Sequence, residues 1–388
     1  MSKTAPFKNV IDYFCEQMEQ IILIATFIIP LILSVVIIYN AQGNKSKKIL
    51  AFSMINASAV FIANYFYFIE DFSVYSYMHS LHVALVLLIY PSLYLYLKTL
   101  TENYSFKPKI LVHFIPPIVF FVLYFVLFDL RFEHSERVSF LSNYRDDLFE
   151  TGNEFITVEW LRILNVVAII SQVIGYSAAI FIISHQYHQK IKNEFSNADN
   201  YQIKWLVWFN LALIAIAILS VLFYVINPFD DSHNYLLMFS MFSMSIFIWL
   251  IGIWGNAQAS IEFPSAQPYQ NTDNNELESI FNNLVMYMNE RKPFLKPNLT
   301  LSELAMALTS NRTYISQAIN CFAQMNYNTF INKYRIEEAQ KLIKQNPQVK
   351  IESLASQAGF GSSVSMQRAF TKQTGFAPKE WKNKKVAS

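Results

Sequence analysis

The chain begins with a largely polar segment and then alternates long apolar runs with short polar connectors. Seven runs, at residues 21–39, 49–68, 77–97, 110–128, 163–184, 205–226 and 235–254, contain no Asp, Glu, Lys or Arg. A helix needs about 20 apolar residues, at about 1.5 Å rise each, to cross a hydrocarbon layer about 30 Å thick. Each run meets that length. Inside such a layer no water satisfies the backbone, so a helix, which pairs its own N–H and C=O groups, is the economical conformation. The pattern therefore predicts seven spanning helices within residues 21–255, preceded by a tail at 1–20. Pro30, Pro91 and the pair Pro116 and Pro117 fall inside runs, where they interrupt the hydrogen-bond ladder and either kink a helix or serve its packing.

Past residue 255 the pattern changes. Residues 256–275 are rich in Pro, Ser, Gln and Asn, and Pro264 and Pro268 forbid continuous helix, so this stretch reads as a flexible linker. Its average reach is about 25 Å, so whatever the tail binds must come close to the membrane. Residues 276–291 then place Leu277, Ile280, Phe281, Leu284 and Met288 at helical spacing on one face. That stripe needs a partner, either the rest of the domain or the same helix of a second chain.

Two similar units follow within 276–388, each a short helix, a tight turn and a second helix. In the first, 301–308 (LSELAMAL) leads through Thr309 and Ser310 to Asn311, a residue of N-cap type, and on to 312–322 (RTYISQAINCF). In the second, 351–358 (IESLASQA) leads through Gly359, Phe360 and Gly361 to 362–373 (SSVSMQRAFTKQ), with Gly359 supplying the left-handed residue of a sharp turn. Both read as helix-turn-helix units. Between them 329–345 is a helix with Phe330, Ile331, Tyr334, Ala339, Leu342 and Ile343 on its apolar face. Such a rod, about 25 Å long, could hold two reading helices near the spacing of about 34 Å between successive major-groove faces.

Composition sharpens this division. The chain is 53% hydrophobic and 15% charged, which a bilayer explains and a soluble core does not. The net charge of +2 hides a split: residues 1–275 hold 15 basic and 20 acidic side chains, whereas 276–388 hold 15 and 8. An acidic membrane body with a basic tail implies two different partners. The connectors also set an orientation, because short cytoplasmic loops retain Lys and Arg. Lys45, Lys47 and Lys48, then Lys98, Lys107 and Lys109, then Lys190, Lys192 and Lys204 occupy the first, third and fifth connectors. The second and sixth carry Glu70 and Asp71, and Asp230 and Asp231, and the fourth has eight acids against three arginines. The N-terminus is thus expected outside and, after an odd number of spans, the C-terminal domain in the cytoplasm.

Candidate chemistry is sparse. Cys15 and Cys321 would lie on opposite sides of the membrane, and no Cys/His grouping has zinc spacing, so neither a disulfide nor a structural metal is expected. No phosphate-cradling glycine loop or acid–base constellation appears, which argues against an enzyme or a resident cofactor. No carboxylate or cation lies within a span, which argues against an ion-driven pump, and the seventh run has no Lys to carry a retinal Schiff base. His79 and His82, at i and i+3 near the outer end of the third run, share a face and could meet a ligand, a metal or a proton; interfacial or helix-packing histidines are the plainer alternative.

Three segments, SNRTYISQAIN, FINKYRIEEAQKLI and LASQAGFGSSVSMQRAFTKQTGFAPKEW, resemble the tandem helix-turn-helix domain of AraC-type regulators over residues 299–381. The resemblance implies a sequence-specific DNA-binding transcription regulator, activator or repressor, with promoter DNA and RNA polymerase as its expected partners. It also implies that the second helix of each unit enters the major groove. Two positions depart from the family pattern: Gln324 and Met325 stand where a glycine is usual, and Met366 stands where Phe is common. The sugar-binding domain familiar in that family is replaced by the spans, so no effector carries over.

On the first reading helix Arg312, Thr313, Ser316, Gln317 and Asn320 are the polar candidates for base or phosphate contact, with Tyr314, Ile315, Ala318 and Ile319 packing. On the second they are Ser362, Ser363, Ser365, Gln367, Arg368 and Lys372, with Phe370 in the core. Lys379, Lys382, Lys384 and Lys385 suit phosphate contact or plain solubility. The expectation is an all-α, multi-pass protein of the bacterial cytoplasmic membrane that couples a membrane or small-molecule signal to promoter binding, with a homodimer as one possible assembly. The competing expectation is a seven-span receptor or transporter whose basic tail binds another protein. Release of the tail by cleavage in the linker is a third route.

Overall fold

The computed structural model describes residues 5–101, 108–143, 155–198, 233–258 and 274–386, with isolated positions between 207 and 218. The described chain is helical, with no strands. It divides into two compact units, Met1–Ser184 with Lys204–Phe263, and His185–Ile203 with Pro264–Ser388.

Six described helices are long and apolar enough to cross a membrane: Gln20–Ala41, Lys45–Phe68, Phe72–Thr101, Pro108–Asp129, Ile156–Glu194 and Met238–Ala257. The expected span at 205–226 lies largely outside the described residues. We label α1 (Ala5–Ala41), α2 (Lys45–Phe68), α3 (Phe72–Thr101), α4 (Ile115–Tyr124), α5 (His134–Asn143), α6 (Ile156–Glu194) and α7 (His233–Ala257). Pro30 and Pro91 are accommodated inside α1 and α3. The fourth apolar run is composite: Pro108–Phe114 is a 3-10 turn, Pro116 and Pro117 open α4, where a missing N–H costs nothing, and Phe125–Asp129 closes it as a π-turn.

Helices α1, α2, α3 and α7 pack together through small and polar side chains. Asn56 donates to the Leu85 carbonyl at 3.1 Å, Ser58 to the Phe27 carbonyl at 2.8 Å, and Tyr96 to the Gly255 carbonyl at 3.3 Å. Gly255 permits that approach, since a Cβ there would lie 2.7 Å from the Tyr96 hydroxyl and 2.8 Å from Leu50. The helix α5, which the sequence pattern left within a connector, packs Phe140 and Leu141 onto Phe128 and Phe132, and Arg137 pairs with Asp129 at 3.1 Å.

The second unit contains α8 (Asn274–Arg291), α9 (Leu301–Ala307), α10 (Arg312–Ala318), α11 (Tyr327–Gln345), α12 (Ile351–Gln357), α13 (Ser363–Thr374) and α14 (Pro378–Val386). The apolar stripe of α8 finds its partner within the chain: Leu284 and Met288 are buried with Leu304, Ile315, Ile319 and Phe330. A second core gathers Leu354, Ala358, Met366 and Phe370. Helix α11 serves both, giving Phe330 and Ile331 to the first core and Ile336, Ala339 and Ile343 to the second. At about 1.5–3 kcal/mol for each fully buried aliphatic side chain, this shared helix couples the two helix-turn-helix units. Met366 fills its core position without exposure.

Arg335, on the same helix, is 1% exposed. Its guanidinium donates to the carbonyls of Phe294, Lys296, Pro297 and Ser196 and to the Ser196 hydroxyl, at 2.8 to 3.1 Å. Burial draws its pKa down to about 10, so it stays charged at neutral pH and those acceptors offset its desolvation. The segment 194–198, expected to be a plain connector between spans, is thus part of the second unit.

Candidate nucleic-acid interface

Each reading helix is started by a side chain. The Asn311 carbonyl oxygen of the side-chain amide accepts the Thr313 amide at 2.9 Å, which opens α10 at Arg312. Ser362 Oγ accepts the Ser365 amide at 3.1 Å and opens α13 one residue later than the apolar pattern indicated. The first reading helix then loosens into a π-turn over Ile319–Ala323 and ends at Gln324.

Packing sorts the candidates. Ile315, Ala318 and Ile319 on the first reading helix and Met366 and Phe370 on the second are buried, which turns the polar faces away from the two cores. On the first helix Asn320 is exposed, while Arg312, Thr313, Ser316 and Gln317 are half-buried. Arg312 forms an ion pair with Glu194 at 3.0 Å. On the second helix Ser362, Gln367, Arg368 and Lys372 are exposed, and Ser363 and Ser365 are half-buried. Ser362 and Ser365 are also engaged with each other as cap and first turn, which limits them to contacts made while holding the helix start.

Val364 is apolar and so stands outside the set of polar groups that the sequence pattern singles out. It lies on the second reading helix and is 52% exposed. An apolar side chain there suits a thymine methyl group, and its signal in the sequence is a β-branched residue inside an otherwise polar helix start. Among the basic residues at the end, Lys379 is exposed and Lys382 donates to the Val349 carbonyl at 3.5 Å, while the side chains of Lys384 and Lys385 lie outside the described residues.

The histidines of the first unit lie in an aromatic setting. The Tyr75 hydroxyl hydrogen-bonds His82 Nδ1 at 3.1 Å, and the His79 ring stands 5.2 Å from that of Tyr124 and 5.1 Å from that of Phe128. His79 Nδ1 and His82 Nε2 are buried with no hydrogen-bond partner among the described residues. No group of three His, Cys, Asp or Glu among the described residues is placed to hold a metal.

Residues 304–384 match the model of a family described as a helix-turn-helix domain, of AraC type. The match spans both turns, the connecting helix and both reading helices, so the C-terminal domain is an AraC-type helix-turn-helix domain. The match supports a DNA-binding transcription regulator. No curated protein and no solved structure matches the chain.

Proposed function

We propose that the protein is a membrane-embedded regulator in which the spanning helices sense a signal and the C-terminal domain binds promoter DNA accordingly. The observation that carries this reading is the joining, in one chain, of an AraC-type domain to a helical unit whose outward side chains are apolar. On α1 Ile21, Ile32, Val35 and Ile38, and on the fourth span Leu111, Ile115, Ile118 and Val126, are each about half exposed or more. Such faces are stable against lipid and costly against water. The distribution of lysines among connectors supports an N-terminus outside and a cytoplasmic DNA-binding domain in a bacterial inner membrane. His79 and His82, with buried nitrogens in an aromatic setting, are the proposed ligand- or signal-responsive pair.

DNA is read by Arg312, Thr313, Ser316, Gln317 and Asn320 from the first reading helix and by Ser362, Ser363, Ser365, Gln367, Arg368 and Lys372 from the second. Their N-terminal turns enter the major groove and the remaining cations meet phosphate. Promoter-bound protein then engages RNA polymerase.

The test uses the full chain in lipid nanodiscs. It should enrich particular duplexes from a random-sequence pool, with affinity falling steeply as salt rises. Arg312→Ala and Arg368→Ala should each weaken binding by roughly 1–3 kcal/mol and relax the preference at one base position. Salt-insensitive or unselective binding would instead favour a protein-interaction role for the domain. Reporter fusions to the C-terminus give the second check, since activity of an exported reporter there contradicts the proposed orientation.

A further inference from the structure

The second unit is not built from the C-terminal domain alone. It takes in residues 185–203, which include the last turns of α6 and the stretch that follows it. Glu194, Ser196, Asn197 and Ala198 are all buried. Phe195 forms an antiparallel bridge with Thr300, and the Ser196 amide donates to the Leu299 carbonyl at 3.1 Å. Asn328 of α11 donates to the carbonyls of Phe195 and Ser196 at 3.2 and 2.8 Å. Arg335 directs two of its hydrogen bonds to Ser196. A connector whose only task was to join two spans would have no reason to supply acceptors to a buried guanidinium in another domain.

Its two ends meet the start of each reading helix. Glu194 accepts from the Ser302 hydroxyl at 2.6 Å and from the Arg312 guanidinium at 3.0 Å, at the first residue of α10. Asn197 lies against Gly361, just ahead of the Ser362 cap of α13, so closely that a Cβ on Gly361 would come within 2.2 Å of its amide nitrogen. The N-terminal turn of a reading helix is the part that reaches base edges, and a carboxylate on its arginine occupies the place a DNA phosphate or guanine edge would take.

We propose that residues 194–198 are a docking plug that masks the DNA-binding surface, and that DNA and the plug compete for Arg312 and for the entrance of the second reading helix. This rests on the DNA-reading role given to Arg312 above. The plug is continuous with a spanning segment, because α6 is one helix from Ile156 to Glu194. A shift or rotation of that helix is therefore delivered covalently to Glu194, and withdrawal of the plug frees the DNA-binding face. A signal needs no separate messenger, only a differential preference for the α6 position that undocks the plug.

The test again uses the full chain in nanodiscs, with a duplex enriched by the Glu194→Gln protein as the probe. Glu194→Gln removes the ion pair with little change of shape and should raise DNA affinity about tenfold, within the usual range of coupling between sites. Adding Arg312→Ala should abolish that gain. Docking is measured without DNA by Asn197→Cys with Gly361→Cys in a protein whose Cys15 and Cys321 are replaced by Ser. The ideal Cβ at 361 stands 3.1 Å from Asn197 Cγ, the separation a disulfide needs between one Cβ and the opposite sulfur. Mild oxidation should close this bond, reduce DNA binding, and release it again on addition of reductant. Absence of the crosslink, or equal DNA affinity of locked and reduced protein, overturns the proposal, as does a Glu194→Gln protein that binds no better than the parent. A crosslink that forms in a protein that selects no duplex overturns the masking together with the DNA-reading role, and leaves the docking itself established.

Discussion

The two helix-turn-helix units follow the same plan and use different residues to bend the chain. At the end of α9 the Leu308, Thr309 and Ser310 amides bond back to the Leu304, Met306 and Ala305 carbonyls; at the end of α12 the Ala358, Gly359 and Phe360 amides bond to the Leu354, Ser356 and Ala355 carbonyls. The left-handed residue of this closing motif is Thr309, with φ +51°, in the first unit and Gly359, with φ +80°, in the second. The contrast recurs after the reading helices, where Gln324 has φ +54° and Gly375 has φ +78°. A β-branched residue in this region is strained and glycine is not. The first unit therefore holds its turns through packing and caps, and the second through residues that adopt the conformation freely. Caps show the reverse asymmetry: Thr300 and Glu303 form a reciprocal capping box at the start of α9, whereas Lys350 gives α12 no side-chain cap.

The comparison is broken most sharply at Gly359. A Cβ there would lie 2.4 Å from the Phe294 carbonyl oxygen and 2.6 Å from Leu295 Cα, both backbone atoms that cannot step aside. Gly359→Ala should destabilise the second unit on the order of 3 kcal/mol, combining a left-handed penalty with a steric one. Hydrogen exchange over α12 and α13 in the full chain reads this; unchanged protection there would disprove the need for glycine. Gly375→Ala meets nothing within 4 Å and should cost only about 1 kcal/mol, the left-handed penalty by itself.

Substitutions in the first unit should act in the opposite sense. Thr309→Gly relieves strain and is expected to stabilise the domain by about 1 kcal/mol, seen as slower exchange across α9 and α10. Gln324→Gly should gain less, about 0.5 kcal/mol, because it gives up the hydrogen bond from its Nε2 to the Cys321 carbonyl. If Thr309→Gly destabilises, the strain reading of the first turn is wrong.

The smallest effect concerns acid. Burial pushes the Glu303 carboxyl up, but hydrogen bonds from Lys296 and from the Thr300 amide and hydroxyl, with the Lys296 charge, outweigh it and hold its pKa below the ordinary value. A carboxyl with a depressed folded-state pKa stabilises fully above its unfolded pKa and loses that contribution as pH falls through the folded value. The start of α9 should therefore lose protection on acidification below the usual carboxylate range. Glu303→Gln, which can still accept from the Thr300 amide, should flatten that dependence.

The all-α class, the long apolar helices and the division into a hydrophobic body and a basic tail were legible in the sequence, because each rests on local periodicity and length. So were Asn311 as a cap and Gly359 as the left-handed residue, since both act on their own neighbours in the chain. The Thr300–Glu303 box carries the equally local pattern Ser/Thr-x-x-Glu, but the apolar spacing on which the reading of this helix rested does not single it out. Burial of Ile315, Ala318 and Phe370 follows from helical spacing, and the same spacing marks the opposite faces of the reading helices as polar. Composite geometry was harder: the π-turn at 319–323 and the helix at 134–143 depend on which neighbours supply packing, and short weak patterns do not specify that.

What the tertiary structure alone decided is the partnership of residues 194–198 with Arg312, Asn328, Arg335 and Gly361. Nothing in the run Glu-Phe-Ser-Asn-Ala marks it as anything but a loop between spans, and Arg335 in its helix looks like one more surface cation. The contacts join residues more than a hundred positions apart. A buried guanidinium selects its acceptors by distance and direction in space, and a pattern of neighbours along the chain contains no record of either.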